Sequence, residues 1–123
     1  MEIEEICFDL ENQSLHGLSR GEDGSDIILC LHGWLDNAAS FLPLMPYLKD
    51  KKVIALDWPG HGFSSHRSQD AHYHFIDWVY DLLQLFELNQ WQDIDIVAHS
   101  MGGMVASAFA AAFPDKVRSL TLI

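Results

Sequence analysis

The sequence predicts an α/β fold, a mostly parallel sheet with helices on both faces. Three observations carry this expectation. Short apolar runs rich in β-branched residues recur along the chain: DIILCL at 26–31, KKVIALD at 51–57, IDIVA at 94–98 and VRSLTLI at 117–123. Segments with helical spacing separate them. The first two runs are continuously apolar rather than alternating, which suits strands buried on both faces of a parallel sheet. With 123 residues, 49% of them apolar, the chain forms one domain or part of one, taken here as residues 1–123.

Each element follows in order. Residues 2–10 and 14–18 flank the turn-like Glu11-Asn12-Gln13 and suggest an antiparallel pair. Gly17, Gly21 and Gly24, with Asp23, Ser25 and Asp26, mark a loop before the first buried strand. Between 31 and 51, Phe41, Leu44, Met45 and Leu48 recur at helical spacing, with Asn37 or Ser40 available as a cap. Pro43 suits a first turn after Ser40, but Pro46 does not, so this helix is expected to be short or kinked. In HFIDWVYDLLQLFEL (74–88), Phe75, Trp78, Val79, Leu82, Leu85 and Phe86 form an apolar stripe, with Asp77, Asp81 and Gln84 largely outside it. After the strand at 94–98, Met101 to Phe113 reads as a helix of small and apolar residues buried against the sheet, and Pro114 stops it. Strands alternating with helices in this way imply parallel pairing.

Composition excludes several function classes. Eighteen acidic residues against seven basic ones give a net charge of −11, a field that repels nucleic acid and anionic lipid surfaces. The start, MEIEEICF, lacks the basic and apolar regions of a signal peptide, and no apolar run approaches a membrane span. Cys7 and Cys30 have no metal or redox spacing, and Cys30 sits within an apolar run where a buried thiol is ordinary. A reducing, cytoplasmic setting is expected. His72 and His74 lack a third ligand at suitable spacing, so no metal and no cofactor is expected.

In a parallel sheet, ligand chemistry gathers at the carboxyl ends of the strands. Three loops fall there. Ala98-His99-Ser100-Met101-Gly102-Gly103 joins a strand to a helix, the context of a nucleophile elbow, with Ala98 where a glycine is usual. A serine lifted above the sheet by such a turn adopts strained dihedrals, and small residues such as Gly102 and Gly103 let strand and helix approach. The N–H after that serine, on Met101, is one oxyanion donor; a second must come from an earlier strand-end loop. Leu31-His32-Gly33-Trp34-Leu35-Asp36 is that loop, with Trp34 N–H the candidate. The third loop, Asp57-Trp58-Pro59-Gly60-His61-Gly62-Phe63-Ser64, has turn chemistry, so Asp57 and His61 are expected to brace loops rather than join Ser100 in a triad.

Together VAHSMGG, LHGWLDNAASF and DWPGHGFSS resemble the α/β-hydrolase superfamily, within it the serine hydrolase-like proteins of the esterase/lipase group. The resemblance covers the whole chain. It implies the α/β-hydrolase fold, Ser100 as nucleophile, and Met101 and Trp34 as the oxyanion donors. Such a site acts on a small-molecule carboxylic ester or related acyl bond.

The family's acid and histidine follow its nucleophile along the chain. After Ser100 there is one acid, Asp115, at the wrong end of the helix, and no histidine. His99 should turn away from the serine oxygen, His32 lies in the oxyanion loop, and His66, His72 and His74 read as exposed loop and helix-start residues. The chain therefore corresponds to the family's first half, truncated after about the sixth strand. Alone it is expected to be inactive or nearly so, with an apolar sheet edge open to self-association. The alternative is a non-catalytic binding protein that reuses the scaffold.

Overall fold

The computed structural model describes residues 2–67 and 73–123. His72 lies outside the described residues. Six strands form one sheet: β1 (Glu4–Asp9), β2 (Ser14–Arg20), β3 (Ile27–Leu31), β4 (Lys52–Leu56), β5 (Ile94–Ala98) and β6 (Val117–Leu122). Their spatial order is β1-β2-β4-β3-β5-β6. The pairs β3–β4, β3–β5 and β5–β6 are parallel, and β1–β2 and β2–β4 are antiparallel. The chain passes from β3 to β4 on one side and returns to β5 on the other. The loops after β4, β3 and β5 thus lie side by side at one end of the sheet, where a parallel sheet binds ligands.

The pleat explains why β3 and β4 read as continuous apolar runs. Leu29, Leu31, Ile54 and Leu56 face one side, where they pack with Ile96 of β5, α1 (Phe75–Asn89) and α2 (Met101–Ala112). Ile28, Cys30, Val53 and Ala55 face the other side, against Ala38, Phe41 and Met45. Burial pushes the Cys30 thiol up to about 12, so it behaves as a small apolar side chain.

Four expectations change in the structure. The segment between β3 and β4 is not one helix but two 3₁₀ turns, Ala38–Phe41 and Met45–Tyr47. Asn37 caps the first by accepting from Ala39 N–H at 2.9 Å, and Pro46 falls inside the second, where a full α-helix would lack its hydrogen bond. Gly17, read both within the 14–18 strand and among the loop glycines, belongs to the strand. Its β2 position brings Ala55 O within 2.8 Å of where a Cβ would stand, so only glycine lets β2 pair closely with β4. Asp81 is buried, not on the solvent face of α1, because Arg67 reaches it at 2.6 Å. Burial nonetheless raises the Asp81 carboxyl above its ordinary range, the Arg67 contact opposing this only in part. Phe75 leaves the stripe and is 41% exposed.

The strand β6 lies at one edge of the sheet. Among the described residues, no helix is long and apolar enough to cross a membrane.

Candidate active site at the strand ends

Ser100 occupies the turn between β5 and α2 with φ 52° and ψ −116°. A residue with a Cβ rarely holds such a positive φ, and backbone strain of this kind persists only where the surroundings enforce it. The enforcement is visible on both sides. His99 N–H donates to Leu31 O at 3.0 Å, and Gly103 N–H donates to Ser100 O at 2.9 Å. Gly102 lies so close to β3 that a Cβ there would meet His32 O at 2.5 Å and Leu31 O at 2.6 Å. The Ser100 side chain stands at the cap position of α2 without making a capping hydrogen bond, and the residue is exposed. The hydroxyl is therefore not committed to ending the helix. Met101 N–H, the first of α2, has no intrahelical partner by position and meets no acceptor among the described residues.

The loop after β3 approaches Ser100 directly. A Cβ on Gly33 would lie 3.2 Å from both Ser100 Cβ and His99 Nδ1. His32 is fully buried and uses both ring nitrogens. Trp58 N–H donates to its Nε2 at 3.0 Å, so the proton sits on Nδ1, which donates to Gly33 O at 2.7 Å. Desolvation leads in holding the His32 pKa below its ordinary value, with a smaller repulsion from His61; the Gly33 carbonyl, Asp57 and Asp36 pull the other way. Gly33 O also accepts from Asp36 N–H at 3.3 Å. A trans peptide points its C=O and N–H in opposite directions, so pinning Gly33 O toward His32 turns Trp34 N–H away from that ring. No protein acceptor takes this N–H among the described residues.

The indole of Trp34 is 57% exposed, so it is no packed turn tryptophan. Its edge-on contacts are His61 at 5.4 Å and Trp78 at 6.1 Å. Phe75, displaced from the helix stripe, joins Ser100, Gly103, Met104 and Ser107 in an open groove of about 440 Å³.

Among the described residues, the loop after β4 contributes no group that reaches Ser100 by a hydrogen bond. Asp57 is 2% exposed and accepts from Ala38 N–H at 2.7 Å, Phe63 N–H at 3.0 Å and His16 Nδ1 at 2.7 Å. Gly62, at φ +50°, wraps over that carboxylate so closely that a Cβ would fall 2.2 Å from Asp57 Cγ. His61 turns its Nδ1 to Pro59 O at 3.3 Å rather than to Asp57. His99 borders a different groove, with Asp36, Ser40 and Phe41, and not the one that Ser100 lines. Asp115 lies in the turn beyond the carboxyl end of α2, away from Ser100. His66 and His74 are exposed. Among the described residues, no group of three His, Cys, Asp or Glu side chains converges as a metal site.

His16 is the residue that sequence reasoning passed over. It lies in a strand, carries no motif, and reaches the site only because the antiparallel pairing of β2 with β4 brings it beside Asp57.

Comparison with known proteins agrees with this architecture. A family model described as the alpha/beta hydrolase fold matches residues 26–123. A serine hydrolase-like protein of Danio rerio is 43% identical over 110 residues, which are 89% of this chain and 34% of that protein. A human serine hydrolase-like protein is 41% identical over 97 residues, 78% of this chain and 48% of that one. The chain thus spans about a third to a half of the length of these relatives. The crystal structure of a hypothetical protein from Pseudomonas aeruginosa PAO1 superposes with a TM-score of 0.92 at 38% identity, covering 98% of this chain and 43% of that one.

Proposed function

Because the chain belongs to the α/β-hydrolase family, we propose that it supplies the nucleophile and the oxyanion donors of a serine hydrolase acting on carboxylic esters or related acyl bonds. One observation carries this reading: Ser100 is held at φ 52°, ψ −116° between strand and helix, with its hydroxyl left out of the helix cap. A serine kept for capping or packing needs no such strain.

In this reading Ser100 Oγ attacks the carbonyl carbon, and the resulting oxyanion accepts from Met101 N–H and Trp34 N–H. The amino terminus of α2 adds its positive dipole end. The orientation of the Gly33–Trp34 peptide supports Trp34 in this role, as does the Cβ-excluding contact of Gly33 with Ser100. His32, with both nitrogens engaged, holds the loop and takes no proton from the serine. Asp57 and His61 brace, and Gly102 permits the close helix–strand contact.

All seven histidines precede Ser100, and none is hydrogen-bonded to it among the described residues. The base and its orienting acid therefore come, in this reading, from residues outside 1–123, and the activity is that of the longer protein. The charge of −11 on residues 1–123 only mildly disfavours strongly anionic substrates.

A serine-directed fluorophosphonate tests the assignment. The longer protein, which carries the base, is expected to take the label on Ser100 and to lose it in Ser100→Ala. Folded protein that stays unlabelled would overturn the assignment.

A further inference from the structure

The amino-terminal hairpin meets the loop after β4 at Gln13, Ser14 and His16. His16, in the middle of β2, sends Nδ1 to Asp57 Oδ2 at 2.7 Å. A carboxylate only accepts, so Nδ1 is the donor. On its other side, Nε2 lies 3.3 Å from Glu5 Oε1 of β1. The backbone of His16 is tied to the same loop: its C=O accepts from Asp57 N–H at 2.9 Å, and its N–H donates to Ser64 Oγ at 2.8 Å. Ser64 Oγ in turn donates to Asp57 O at 2.5 Å. The ring also stands edge-on to Phe63 at 5.0 Å.

Asp57 connects this hairpin to the loop after β3. Its Oδ1 accepts from Ala38 N–H, the first residue of the 3₁₀ turn that follows Trp34-Leu35-Asp36-Asn37. That stretch is thus fixed at its start by His32 through Gly33 O and at its end by Asp57 through Ala38 N–H. A buried carboxylate keeps its position only while its acceptor sites are filled, and His16 is the one side chain among the described residues that fills one.

We propose that His16 is a positioning residue of the site: by donating to Asp57 it fixes the carboxylate that holds the Ala38 end of the loop presenting Trp34 N–H. The inference rests on the reading of Trp34 as an oxyanion donor, but its first link, from His16 to Ala38, does not depend on chemistry at Ser100.

Two variants separate the donor from the ring. His16→Phe keeps a ring against Phe63 and removes the donor. His16→Asn removes the ring and keeps an amide N–H near the place of Nδ1–H. In the longer protein, amide hydrogen exchange is followed at Ala38 and Phe63, with Leu29 and Ile96 as core references, and the rate of fluorophosphonate labelling at Ser100 is measured alongside. In His16→Phe, Ala38 and Phe63 are expected to exchange about tenfold faster, the equivalent of one lost hydrogen bond, with the core references unmoved. Labelling should slow by a similar factor, and His16→Asn should recover most of both. The proposal is overturned if His16→Phe leaves Ala38 exchange unchanged, or if His16→Asn is the more impaired of the two. It is equally overturned if Ala38 loosens while labelling keeps its wild-type rate. Absence of labelling in the wild-type protein would count against Ser100 as nucleophile and against the final link to the site, while Ala38 exchange would still decide the coupling of His16 to the loop.

Discussion

Two loops at the same end of the sheet are built in opposite ways. After β4, the stretch from Asp57 to Ser65 buries its polar groups and satisfies nearly all of them. Asp57 takes three donors, Ser64 bridges two segments, and Ser65 N–H reaches Ser14 O at 2.8 Å. His61 Nε2 is the exception there, buried without a partner. After β5, the stretch around Ser100 leaves an exposed hydroxyl outside the cap, an open N–H on Met101 and a backbone at φ 52°. The lesson is that saturated hydrogen bonding marks the loop that holds shape. Strain combined with open polar groups marks the loop available for chemistry. Asp57 and His61, of the residue types most suggestive of catalysis, lie in the saturated loop.

If the contrast holds, the largest effect on stability comes from the saturated loop. Asp57→Ala leaves Ala38 N–H, Phe63 N–H and His16 without their common acceptor in a buried place. Breaking a buried, hydrogen-bonded charge of this kind costs about 3–5 kcal/mol. Urea denaturation measures it. A loss below about 1 kcal/mol, the scale of an exposed pair, would erase the distinction between the two loops.

The next effect follows from His32, which ties the loop after β3 to the loop after β4. Its pKa lies below the ordinary value of about 6.5. The unfolded chain therefore binds a proton that the folded chain resists, and stability falls as pH drops from about 6.5 toward the lower folded value. Protonation would set an Nε2–H donor against Trp58 N–H, an unpaired contact worth about 1–3 kcal/mol. His32→Gln, which carries no titrating ring, should flatten that part of the profile of denaturation midpoint against pH. An unchanged slope would show that His32 does not set it.

The parts of this molecule that sequence made legible are those governed by local periodicity and turn chemistry. The buried strands were readable because β3 and β4 are apolar on both faces, and the strained turn because strand, serine, glycine and helix coincide around Ser100. What escaped was set by pairing across the sheet. Gly17 read both as strand and as loop because glycine in isolation signals turns, whereas its reason is the approach of Ala55 O. Asp81 looked solvated because its partner, Arg67, lies 14 residues away in a loop. Phe75 fitted the helix stripe, yet the helix start projects toward the Ser100 groove. His16 had no signal at all, since alternation tells which face a strand residue takes and not what waits there.

The smallest effect is also the most direct comparison of the two loops, because it isolates strain at Ser100 itself. Glycine populates positive φ freely, whereas a side-chain-bearing residue held outside the favoured regions costs about 1–3 kcal/mol. Ser100→Gly relieves that strain but frees the unfolded chain, which offsets about 0.4–1 kcal/mol. The expected net is a gain of about 1 kcal/mol over Ser100→Ala, which loses the same hydroxyl and keeps the Cβ. Gln90 supplies the control: at φ 55°, ψ 37° it sits in the ordinary left-handed well, so Gln90→Gly against Gln90→Ala compares glycine's benefit where no special turn exists. A larger glycine advantage at 100 than at 90, read from denaturation midpoints, means the fold gives up stability to hold this serine out of the cap. Equal advantages would mean the turn is merely left-handed, and the contrast between the loops would reduce to exposure alone.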